Sequence, residues 1–243
     1  MNSERGALAL VGSGEYLTQM QEIESDLLQR AIAKGKSNTY IQIPTGAGLE
    51  SADRIEFWKE RGAAQAQRMD ATCRFLPILT REDAFNEEYI SEISNAGLIY
   101  FSGGDPGYIT EVFNQTPLWE KIRSEFNSGT SLAGCSAGAM AFGSKIVGIR
   151  KSHAQSGLGL ISNIEVIPHY DKFLGWVPDR IASIALRSDE GAYLLGIDED
   201  TALVLTDTWR VQGRAKVHVL KGLENSPQTF ISGEEIGLVH KLM

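Results

Sequence analysis

Short β-branched and aliphatic runs alternate with longer amphipathic stretches through the first two-thirds of the chain, the pattern that builds a parallel sheet covered by helices. Strands are predicted over Ala7–Val11, Thr39–Ile43, Arg74–Leu79, Gly97–Phe101 and Ser131–Gly134. Between them, Met20–Ala33, Ser51–Gln67, Asn86–Asn95, Gly107–Phe113 and Pro117–Asn127 read as helices; the second carries Ile55, Trp58 and Gly62 at helical spacing. The last third changes rhythm. A strand over Glu165–Ile167 and a helix over Asp179–Ser188 precede four closely spaced strands, Leu194–Ile197, Ala202–Leu205, Trp209–Gln212 and Ala215–Leu220. That tail is expected to form hairpins closing one edge of the sheet. The expected fold is therefore α/β, a mostly parallel sheet sandwiched by helices with a C-terminal hairpin extension.

With 243 residues, 42% hydrophobic and 22% charged, the chain has enough apolar material for one core, and no repeat or low-complexity linker marks a boundary. A single catalytic domain over residues 1–243 is expected. The two cysteines, Cys73 and Cys135, supply neither a disulfide framework nor a metal-ligand spacing, so no metal and no cofactor is expected. Met1–Gly6 leads into its apolar run without the basic segment and long apolar stretch of a signal peptide, and no run approaches bilayer-spanning length. A cytoplasmic location follows as the expectation. A net charge of −8 disfavours the clustered Lys and Arg that nucleic-acid binding draws on. The expected partner is a small peptide substrate, without nucleic acid or membrane; oligomeric state is open, a homodimer included.

In open parallel sheets, ligands gather at the carboxyl ends of strands, where loops lead into helices. Three glycine-rich turns stand there: Gly12-Ser13-Gly14, Gly103-Gly104-Asp105 and Gly134-Cys135-Ser136-Ala137-Gly138. The first reads as a tight turn serving backbone geometry. The third follows a predicted strand and precedes a run of small residues, the context a nucleophile elbow requires, so Ser136 is the candidate nucleophile. Acyl transfer also needs donors aimed at the developing oxyanion, and the amides of Ala137 and Gly104 are the candidates. Of the four histidines, His218 and His240 sit where solvated or packed histidines are the ordinary expectation, and His153 lies in a polar, Gly-rich stretch just after the expected elbow helix. His169 ends a short apolar strand and is the candidate base. A carboxylate must fix its tautomer, and spacing leaves Glu199 and Asp171 both open, with Asp198 and Asp200 flanking the former.

At these positions the chain resembles the dipeptidase E and cyanophycinase family of serine peptidases, related in fold to class I glutamine amidotransferases. The stretches that carry the resemblance are Ile99–Asp105, Gly134–Ala139, Gly157–Leu160, Pro168–Tyr170 and Gly196–Ala202. It implies Ser136 as nucleophile, His169 as base, Glu199 as its orienter, the amides of Gly104 and Ala137 as oxyanion hole, and hydrolysis of short, acidic or isoaspartyl peptides through an acyl-enzyme. Pro106 and Pro168 stand where cyanophycinase-like chains carry glutamine. Arg180 and Arg187, in the helical segment after His169, and Asp105 are the candidate substrate-binding residues; Arg is a natural reader of a carboxylate because its fork makes two charge-assisted bonds. Two other functions compete: a glutaminase using Cys135, one residue early for the elbow, and a non-catalytic binding protein on the same fold.

Overall fold

The computed structural model describes residues 4–148, 155–173, 184–239 and 241–242. His153, Arg180 and His240 lie outside the described residues. The first part of the chain runs β1 (Leu8–Val11), α1 (Gln21–Ile32), β2 (Thr39–Ile43), α2 (Ala52–Arg68), β3 (Thr72–Phe75), α3 (Glu87–Glu92), β4 (Leu98–Phe101), α4 (Pro106–Phe113), α5 (Pro117–Asn127), β5 (Ser131–Cys135) and α6 (Ala137–Phe142). The rest comprises β6 (Lys145–Ile146), β7 (Gln155–Ser156), β8 (Ile164–Ile167), α7 (Tyr170–Phe173), β9 (Tyr193–Ile197), β10 (Thr201–Leu205), β11 (Trp209–Gly213), β12 (Lys216–Lys221), β13 (Gln228–Ile231) and β14 (Glu235–Ile236).

The central sheet has eight strands in the order β14-β11-β10-β1-β5-β4-β2-β3. From β1 to β3 every pairing is parallel, whereas β10, β11 and β14 add antiparallel strands beside β1. Residues of β1, β4 and β5 are buried throughout, as strands covered on both faces must be. Period-two alternation sorts them into two apolar layers. Leu8, Leu10, Ile99, Phe101 and Leu132 join α4, α5 and α6 through Val112, Phe126 and Met140. Ala9, Val11, Tyr100, Ala133 and Cys135 join α1 through Ile23, Leu27 and Leu28.

Several helices begin at side chains that cap them: Ser51 accepts from Arg54 N, Asn86 from Glu88 N, Asp105 from Gly107 N and Tyr108 N, and Thr116 from Trp119 N. These short polar side chains satisfy amides that the first helical turn leaves without partners. Ser51 and Asn86 are thus caps rather than the first helical residues the amphipathic pattern predicts.

Two expectations are corrected. The third strand ends at Phe75 instead of continuing to Leu79, because Pro77 brings no N–H to the ladder and pairing with β2 stops at Gln42 and Phe75. The tail does not close one edge as a unit. While β10, β11 and β14 extend the main sheet, β9 and β12 pair with β8 and β13 in a separate four-stranded sheet, β13-β12-β9-β8. The turns Asp198–Asp200 and Arg214–Ala215 carry the chain from one sheet to the other, so neighbours in sequence part and Val217 faces Ile197.

Candidate active site

The carboxyl end of β5 turns sharply into α6, and Ser136 takes up that turn with φ 49° and ψ −103°. A positive φ is costly for a residue with a Cβ and persists only where surrounding contacts impose it. Ser136 N donates to Val11 O at 2.9 Å, which ties the turn to β1. Small flanking residues are a steric requirement here: a Cβ on Gly134 would lie 2.6 Å from the carbonyl carbon of Gly138. The first residue of α6, Ala137, leaves its amide outside the helix ladder.

Beside the elbow, β4 ends in the Gly103-Gly104 turn. Gly104 has φ +130°, and a Cβ there would lie 2.0 Å from Gly46 O, so only glycine fits. The turn abuts Ser136, since a Cβ on Gly103 would sit 3.4 Å from Ser136 Cβ. Among the described residues, neither the Gly104 nor the Ala137 amide donates to a protein group. Asp105 spends Oδ1 on capping α4, at 2.8 Å from Gly107 N and 3.0 Å from Tyr108 N. It also borders a cavity of about 350 Å³ lined by Leu49, Tyr108, Glu111 and Gln155 among others.

On the facing side, β8 delivers His169, itself at φ 51°. Its Nε2 lies 3.0 Å from Ser136 Oγ, and its Nδ1 lies 3.0 Å from Glu199 Oε1. With the proton on Nδ1 donating to Glu199, Nε2 is left to accept the Ser136 hydroxyl, which satisfies all three groups. Glu199 comes from the turn between β9 and β10. Its own amide donates to Asp171 Oδ1 at 3.0 Å, so Asp171 holds the turn and not the imidazole. Asp198 and Asp200 are directed elsewhere. Asp198 Oδ1 lies 3.2 Å from His218 Nε2, and Asp200 Oδ2 accepts from Arg214 Nη1 at 3.2 Å.

His169 and Glu199 side chains are 38% and 34% exposed, so their pairing adds little to fold stability; its consequence is orientation. Lys172 Nζ stands 3.3 Å from Glu199 Oε2 and 3.7 Å from Asp171 Oδ2. The Glu199 hydrogen bond, with the Glu199 and Asp171 charges, holds this ammonium above the usual lysine range. Arg187 is exposed on the helical segment 184–187.

Two side chains at the site escape a sequence reading. Lys172 has no distinguishing spacing. Glu15 does carry a signal, because it follows the Gly12–Gly14 turn at the carboxyl end of β1, where the rule for parallel sheets looks for ligands. Its Oε1 accepts from Gly103 N at 3.2 Å and its Oε2 from the Cys135 thiol at 3.1 Å. Complete burial, and then the Glu15 charge, push the Cys135 thiol well above its ordinary pKa. A thiol held protonated and out of the cleft is a poor nucleophile, which removes the basis for a Cys135 glutaminase.

Among the described residues, no group of three or more His, Cys, Asp or Glu side chains is arranged to hold a metal ion, and no helix is long and apolar enough to cross a membrane.

The model of peptidase family S51 matches residues 8–211. The cyanophycinase of Trichormus variabilis is 28% identical over 254 residues, covering 97% of this chain and 81% of the relative. That of Synechococcus elongatus is 29% identical over 237 residues, with 90% and 69% covered. Among solved structures, a peptidase from an acI-B1 actinobacterium shares 49% identity and a TM-score of 0.90, covering 96% of this chain and 97% of its own.

Proposed function

The chain belongs to peptidase family S51 and is a serine-type peptidase, and from that premise we propose that Ser136, His169 and Glu199 carry the reaction through an acyl-enzyme. Ser136 Oγ attacks the scissile carbonyl while His169 Nε2 takes its proton. Negative charge developing on the carbonyl oxygen meets the amides of Ala137 and Gly104. The imidazolium then protonates the leaving amine, and water repeats the sequence to release the acyl group. Glu199 keeps the imidazole in the tautomer that leaves Nε2 free to act. The observation that carries this reading is the relay of two 3.0 Å contacts from Ser136 Oγ through the His169 ring to Glu199 Oε1, built on a strained elbow.

Short peptides with an acidic or isoaspartyl residue are the substrates we propose, the class the family resemblance implies; the similarity to cyanophycinases over most of the chain supports it. A cytoplasmic location goes with this reading, supported by the two free cysteines, Cys73 and Cys135. The test combines a fluorophosphonate probe, with the labelled residue located by mass spectrometry, and a dipeptide library containing α- and β-aspartyl members. Labelling at Ser136 and cleavage of aspartyl dipeptides are expected. An unlabelled Ser136 in a folded protein would remove the nucleophile assignment; turnover of neutral dipeptides alone would remove the substrate class.

A further inference from the structure

The relay leaves one carboxylate of the site without a task. Glu15 is half-buried, and a Cβ placed on Gly103 would lie 2.7 Å from Glu15 Oε1 and 3.4 Å from Ser136 Cβ, so carboxylate and nucleophile flank the same glycine. Its carboxylate oxygens accept hydrogen bonds from the Gly103 amide and from the Cys135 thiol. Among the described residues, no Lys, Arg or His forms an ion pair with it.

That placement is unfavourable for catalysis in isolation. A negative charge beside the Gly103-Gly104 turn opposes the oxyanion that the neighbouring amide is to receive, and a half-buried carboxylate with no ion-pair partner among the described residues also raises the cost of folding. Both penalties disappear when a cation of the substrate docks against Glu15. The cation must sit close to the scissile bond, because only one glycine separates Glu15 from Ser136. In an N-terminal residue the α-ammonium is two bonds from its own carbonyl carbon, or three from the side-chain carbonyl of a β-linked aspartate. A lysine ammonium or arginine guanidinium lies several bonds further out and would overshoot.

We infer that Glu15 is the anchor for the free α-ammonium of the substrate's N-terminal residue, which restricts cleavage to the bond next to that terminus. Bound ammonium neutralises Glu15 at the moment the oxyanion forms, so substrates lacking it are penalised in the transition state as well as in binding. The inference rests on Ser136 being the nucleophile and extends that reading to the chemistry at the substrate's terminus.

The experiment compares inactivation rates of the full chain by two diphenyl phosphonates, the analogue of alanine with its amine free and the same compound N-acetylated. A fluorophosphonate without any amine reports on the elbow alone and serves to normalise both rates. For the wild type, the free amine is expected to react about tenfold to a hundredfold faster than the acetylated form, the worth of one charge-assisted hydrogen bond. Glu15→Gln, which still offers Gly103 an acceptor, should collapse that preference towards one, and Glu15→Asp should recover part of it. A preference unchanged in Glu15→Gln, or normalised rates that fall equally for both phosphonates, would overturn the assignment. The wild-type ratio is decisive even if the variants fail to fold, since a value near one overturns it too. Loss of all labelling at Ser136 would instead sink the nucleophile, and this inference with it.

Discussion

The two halves of the proposed relay are held in different ways. On the nucleophile side, all of β5 and α6 is buried, and the strained Ser136 turn is wedged between β1 and the Gly103-Gly104 loop. On the base side, His169 and Glu199 hang from short connections, with about a third of each side chain open to solvent. Packing fixes the first half; hydrogen bonds fix the second. Substitutions in the two halves should therefore fail differently, the elbow through folding and the base arm through turnover, unless they touch the reacting atom itself.

Removing that atom is the extreme case. Ser136→Ala deletes the proposed nucleophile without adding volume, so peptide turnover should drop about a thousandfold or more while the thermal midpoint stays at the wild-type value. A midpoint that falls together with activity would show that the hydroxyl supports the elbow as well. Next in size is the proposed orienting acid, Glu199. Glu199→Gln is expected to lower kcat about a hundredfold or more, because an amide can hold the imidazole in the wrong tautomer, whereas Asp171→Asn, which still accepts from the Glu199 amide, should stay within about tenfold of wild type. Comparable losses from both would blur the division of labour between the two carboxyls.

Gly134→Val probes the packed half. A side chain at that position runs into the backbone of Gly138, so a destabilisation of about 3 kcal/mol or more is expected in denaturant titration, with activity lost through unfolding. The same half carries a buried acid. Glu24, hydrogen-bonded to the Tyr40 hydroxyl, is raised by burial from 4.5 to about 8. Between those values the folded chain keeps a proton that the unfolded chain has released, so stability should fall as pH rises through that window and level off above it. The slope amounts to on the order of a few kcal/mol across the window, and Glu24→Gln should flatten it. Smallest is the exposed end of the base arm: Lys172→Met removes a solvated cation beside Glu199, and turnover should change by less than about threefold, less still at high salt. A larger change would mean that Lys172 helps to aim Glu199.

Much of the architecture was written in local pattern. The short apolar runs of β2, β4 and β5 and the helical spacing of α1 and α5 place these elements to within a residue or so of where they form, because a strand covered on both faces is apolar throughout and a helix covered on one face is apolar at a period of 3.6. The sharp turn at Ser136 was equally legible. Its demands, small neighbours at Gly134 and Gly138 around a serine after a strand, concern residues adjacent in the chain. Spacing could not choose between Asp171 and Glu199, since that choice depends on two loops meeting across 30 residues of sequence. Nor did it show that β9 and β10 part into different sheets, because each is a short, almost wholly buried run that reads the same whichever partner it takes. Glu15 is the clearest case. Its approach to Gly103 spans 88 residues and depends on β1 and β4 ending on one rim either side of β5. Local sequence determined which backbone could form and which faces would be buried; the tertiary structure decided which polar groups meet, because such contacts are selected by the packing of elements far apart in the chain.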